Sequence, residues 1–125
     1  MKKNFLECSS LSSYKKSFDF SNLIWNEVDE WDYFEKITIG NQLVRSADSI
    51  SANIAEGFGR YGKKDKIKFY RYSFSSVLEV KDWVEKAKIR NIISIEKYTN
   101  FLSFIEQLPI EINQLIKYTN QTLKF

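Results

Sequence analysis

The chain has no histidine, one cysteine, one proline and four glycines in 125 residues. Each scarcity removes a class. Without histidine, the Glu-x-x-His pairs of di-iron bundles cannot be built, and zinc chemistry lacks its ligands. Cys8 alone cannot close an internal disulfide, and in a polar lead-in it has no base to activate it as a nucleophile. So little proline and glycine leaves few turns for a many-stranded fold. No apolar run approaches the ~18 residues of a membrane span. The start, MKKNFLECSS, has no apolar segment after its lysines, and Glu7 spoils a lipid-attachment box before Cys8. These features predict no signal peptide, no membrane partner, no cofactor and a cytoplasmic location.

What is present is core material and helical period. Hydrophobic residues make up 43% and aromatics 16%, which suits one packed domain over residues 1–125. Residues 1–16 read as a loosely ordered lead-in. The first helix is predicted over Asp19–Phe34, with Ser17, Asp19 and Ser21 as candidate N-caps. The second runs over Ile37–Phe58, where Ile39, Leu43, Ala47, Ile50, Ile54 and Phe58 recur at steps of three or four. The third spans Lys64–Arg90. The fourth starts after Ser94, with Glu96 in its first turn, and Pro109 is expected to kink or split it. The sum is an all-α, antiparallel up-and-down four-helix bundle.

The third helix carries one polar stripe, Lys68, Arg71, Ser75, Glu79, Asp82 and Lys86. Most of the rest is apolar or small, an arc of roughly 240° where a helix facing one core needs about 100°. Such an arc predicts burial on two sides, hence self-association, with Phe69, Val80, Trp83 and Ala87 in the oligomer interface, facing away from Phe74 and Leu78.

Charge is unevenly placed. Residues 1–36 hold five Lys/Arg against seven Asp/Glu, whereas residues 37–90 hold eleven against six. The excess gathers in EGFGRYGKKDK, Glu56–Lys66, and just beyond it. Arg60, Lys63, Lys64, Lys66, Lys68 and Arg71 are opposed only by Asp65 and are interleaved with Tyr61, Phe69, Tyr70 and Tyr72. The glycines match G-x-G-x-x-G, but a helix-period segment precedes them where a dinucleotide site needs a strand. A P-loop needs Gly-Lys-Ser/Thr, and GKKD has no hydroxyl there. The glycines are therefore read as the end of the second helix, with Gly57 or Gly59 in the left-handed conformation. The cations are candidates for RNA or DNA contact. A solvated charged turn is the alternative.

QLVRSADSISANIAEGFGR, Gln42–Arg60, resembles the signature of the 23S rRNA intervening-sequence protein family, Q-L-R-R-A-A-x-S-I-x-x-N-I-A-E-G-x-G-R. FYRYSFSSVLEVKDWVEKA, Phe69–Ala87, is similar to that family's third helix, with its S-L-x-E pattern altered at Ser76–Glu79. The likeness covers roughly Phe20–Lys117. The first helix and following loop, WDYFEKITIGNQ, are more compact than is usual in the family. The resemblance implies a homopentamer of four-helix bundles with no established enzymatic activity. It also implies kinship with accessory proteins of diversity-generating retroelements, which associate with a reverse transcriptase and with nucleic acid. On this reading Asn53, Glu56, Gly57, Gly59 and Glu79 are structural motif positions. Asn53 is expected to contact the elbow between the second and third helices, and Glu56 to pair with Arg60. The expected function is non-catalytic nucleic-acid binding. The alternative is a protein-interaction scaffold.

Overall fold

The structure, a computed structural model, describes residues 7–125; the rest of the expected lead-in lies outside the described residues. Among the described residues every regular element is helical. A 3-10 turn, Cys8–Ser10, leads into α1 (Ser12–Asp29). A short turn, Tyr33–Glu35, and a π-helical turn, Lys36–Gly40, lead into α2 (Asn41–Gly59). Then come α3 (Lys63–Ile89) and α4 (Ile95–Thr122). Each helix packs on the next, and α4 closes back on α1. Phe20, Ile24, Leu43, Ile50, Ile54, Val77, Val84, Leu108 and Ile112 fill the space between them.

The first helix starts earlier than the sequence predicts. Ser17, Asp19 and Ser21 lie inside α1, and the N-cap is Leu11, whose side chain makes no capping bond. Residues 12–16 of the expected lead-in are its first turn. Its buried side is Ser13, Ser17, Phe20, Ser21, Ile24 and Val28. Serine fits there because its hydroxyl is satisfied locally: Ser17 donates to the Tyr14 carbonyl at 3.0 Å and Ser21 to that of Phe18 at 2.8 Å. The helix ends at Asp29 rather than at Phe34. Asp32 then caps the next turn, its carboxylate accepting from the Glu35 N–H at 3.0 Å.

The second helix ends without a left-handed glycine. No glycine has a positive φ among the described residues, and Arg60 terminates α2 in an extended conformation. Gly57 has a different role. A Cβ there would lie 2.7 Å from Tyr70 Cε1 and 2.9 Å from the Lys66 carbonyl oxygen, so its missing side chain lets α2 and α3 touch. Gly59 faces open space. The left-handed conformation occurs instead at Asn91, φ 58°, just past α3. There the Ile92 N–H donates to the Ala87 carbonyl at 2.8 Å and the Asn91 N–H to that of Lys88 at 3.0 Å, the Schellman pairing.

The orientation of α3 also differs from expectation. Val80 and Ala87 are fully buried in the protomer's own core, with Val77 and Val84, while Leu78 is 54% exposed. Val80 and Ala87 are therefore withdrawn from any surface. Phe69 and Trp83 are half-buried on the flank. Ser94 caps α4 as predicted, accepting from the Lys97 N–H at 3.1 Å, and α4 runs through Pro109 as one helix.

Candidate nucleic-acid interface

The six cations expected to act together divide into two groups. α3 begins directly after the elbow, and its 3.6-residue period sets Lys64, Lys68 and Arg71 on one stripe. All three are exposed, and none is paired with a carboxylate among the described residues. The stripe covers about 10 Å of helix by rise per residue. With Lys63, Asp65, Ile67, Tyr72, Asn120 and Phe125 it lines an open groove of about 720 Å³, in which Asp65 is the one carboxylate side chain among the lining residues.

The other cations are committed to the fold. Lys66 reaches back across the elbow and donates to the Phe58 carbonyl at 2.6 Å, with Gly57 at 3.5 Å, capping the end of α2. Burial there pulls its ammonium pKa down. Arg60 pairs with Glu56 at 2.8 Å and lies over the Phe69 ring at 4.5 Å. Lys63 is held at the groove's edge. Its N–H donates to the Phe125 carbonyl at 2.7 Å and its ammonium to that of Asn120 at 3.3 Å. The first free N–H of α3 is thus already occupied.

The aromatics divide likewise. Tyr70 is core, and burial, then the neighbouring Cys8 charge, push its phenol up to about 12. Tyr61 is 99% exposed and Tyr72 48%. Phe69 packs edge-on against Tyr72, ring centres 5.4 Å apart, and so holds that ring in place.

Residues 9–114 match the 23S rRNA-intervening sequence protein family. The chain belongs to this family. The fold is similar to the crystal structure of a protein of unknown function from the S23 ribosomal protein family of Bacteroides thetaiotaomicron. That likeness has a TM-score of 0.76 and 23% identity, over 84% of this chain and 98% of the other. No curated protein matches the chain. The signature segment, Gln42–Arg60, spans α2 almost end to end, and its residues make local contacts. Asn53 donates to the Ser49 carbonyl at 2.9 Å, one turn back in its own helix rather than across the elbow. Glu56 holds Arg60, and Gly57 seats Tyr70. Glu79, on α3, accepts from the Trp83 indole N–H at 3.3 Å. Across the helices, Ser49 donates to Ser76 at 2.7 Å.

Sequence reasoning found the cations but not the far wall of the groove. Asn120 and Phe125 lie 56 and 61 residues beyond Lys64 in the chain, and nothing local in the sequence connects them to it. Among the described residues there is no cluster of metal-ligating side chains, and no helix is long and apolar enough to cross a membrane.

Proposed function

We propose that this protein is a non-catalytic, self-associating antiparallel bundle that binds RNA or DNA through the backbone phosphates. The observation that carries the reading is the row Lys64, Lys68 and Arg71, exposed and without acidic partners along one helix stripe. Cations spent on internal ion pairs are not available to phosphate; these three are. Each contributes little alone, and copies repeated around an assembly add by multivalency when one ligand reaches several. The carboxylates that might serve catalysis are already engaged, Glu56 by Arg60 and Glu79 by Trp83.

The antiparallel arrangement is supported by pairs of opposite sequence direction on α1 and α4: Ser12 bonds Glu111, while Lys16 reaches both Glu111 and Gln107. Self-association rests on the aromatic flank of α3, where Phe69 and Trp83 stay half-buried in the protomer, and the homopentamer is the number the family resemblance implies. A second reading, a scaffold for a protein such as a reverse transcriptase, is favoured by a separate feature. Trp25, Tyr33, Phe34 and Ile37 are exposed together around the α1–α2 corner.

The test is retardation of short RNA and DNA by the purified protein at low salt. Wild type is expected to bind, and a Lys64→Glu, Lys68→Glu, Arg71→Glu variant to lose binding with unchanged helical content and mass. Absence of binding by wild type would leave the scaffold reading.

A further inference from the structure

Resting on the nucleic-acid reading above, we infer that the α3 groove selects single-stranded nucleic acid, with one unpaired base stacked on Tyr72. The cations alone do not discriminate, since phosphates are present on single strands and duplexes alike. Tyr72 does. The residue is 48% exposed and lines the same groove as Lys64, Lys68 and Arg71, and its ring packs edge-on against Phe69 with centres 5.4 Å apart. A braced ring costs little further ordering when a base lies on it. In a duplex the base faces are already covered by their neighbours, so this ring would be idle. In a single strand the face is free, and stacking on an aromatic side chain is a main source of affinity that any base can supply.

The groove has room for such a unit. Its volume of about 720 Å³ lies within the ~300–1,000 Å³ of small-ligand sites, enough for a nucleobase beside the phosphate row. Asn120, exposed on α4 at the groove, supplies a side-chain amide that can donate to or accept from an unpaired base edge.

Four fluorescein-labelled ligands separate the contributions by anisotropy at one salt concentration. They are a twelve-nucleotide RNA, its DNA counterpart, the RNA paired to its complement, and the DNA strand with abasic sites. Wild type is expected to bind both single strands about tenfold tighter than the duplex or the abasic strand. Tyr72→Ala should remove that preference, weakening single-strand binding about tenfold while leaving the duplex and abasic affinities unchanged. Tyr72→Phe should keep it. Equal binding of duplex and single strand by wild type, or a Tyr72→Ala protein that retains the preference, overturns the inference and leaves phosphate binding standing. Failure of wild type to bind any of the four overturns both. A melting curve of Tyr72→Ala matching wild type excludes loss of fold as the cause.

Discussion

Replacing Gly57 by alanine adds one methyl group where α2 and α3 touch. That methyl would stand 2.7 Å and 2.9 Å from two carbons of the Tyr70 ring and 2.9 Å from the Lys66 carbonyl oxygen. Neither neighbour can swing aside. Tyr70 is buried, and the oxygen belongs to the α3 backbone. The helices must separate locally, which places the cost in the upper part of the ~1–3 kcal/mol seen for overpacked cores. Alanine regains up to ~1 kcal/mol in helix propensity. The net expectation is a loss of about 1–2 kcal/mol. A chain of this size shifts its melting point by about 3–5 °C per kcal/mol, so Gly57→Ala should melt roughly 3–10 °C lower. Gly59→Ala is the control, because nothing lies within 4 Å of its Cβ position. It should gain about 0.4–1 kcal/mol, mostly from a less flexible unfolded chain. The assay is thermal unfolding by far-ultraviolet circular dichroism at fixed protein concentration. A Gly57→Ala protein that melts at or above wild type refutes the close-contact argument, as does equal damage from both changes.

Asn91 holds φ 58°, so Asn91→Ala should cost roughly 1 kcal/mol while Asn91→Gly is neutral or better; equal melting of the two variants contradicts the cap. Burial pushes the Glu111 carboxyl up, but hydrogen bonds from Lys16 and Ser12, with the Lys16 charge, outweigh it and hold it below the usual range. A lowered folded pKa gives stability that is present above 4.5, the ordinary value, and is lost as pH falls through the folded one. Glu111→Gln should therefore cost about 1 kcal/mol near neutral pH, and its deficit should close in acid; a deficit independent of pH refutes this. Trp83→Glu places a charge on the half-buried flank of α3 and should lower the oligomer mass read by native mass spectrometry. A monomeric wild type at micromolar concentration contradicts self-association.

Most of the helical framework was legible because its signals are local. The stripe from Ile39 to Ile54 needs only the 3.6-residue period, and Ser94 announces its helix by its own side chain. Three features were not legible, each because the deciding contact is remote or the residue type has two uses. The serines of α1 read as caps, yet they occupy its buried face, with Ser17 and Ser21 bonded back to carbonyls three residues earlier. The wide apolar arc of α3 shows how much of the helix can be buried but not where its centre lies, and Val80 and Ala87, expected at the outer face, sit fully inside the core. Gly57 suits both a left-handed cap and a tight helix crossing, and only the position of Tyr70, thirteen residues later, decides between them. At the candidate interface, six cations fall within the twelve residues Arg60–Arg71. The Glu56–Arg60 pair follows from its i,i+4 spacing, but no local signal shows that Lys66 bends back to cap α2 or that Lys63 is held by the Phe125 and Asn120 carbonyls, which leaves Lys64, Lys68 and Arg71 as the cations without a carboxylate or carbonyl partner among the described residues.

The salt dependence of nucleic-acid binding tests that central assignment most directly. Three phosphate contacts at ~0.7 released counterions each predict a slope of about −2 per protomer in a plot of log affinity against log salt for a single strand. That slope is expected for wild type, and should be lost together with binding when Lys64, Lys68 and Arg71 become glutamate. Binding that ignores salt, or that survives the triple change undiminished, would contradict it.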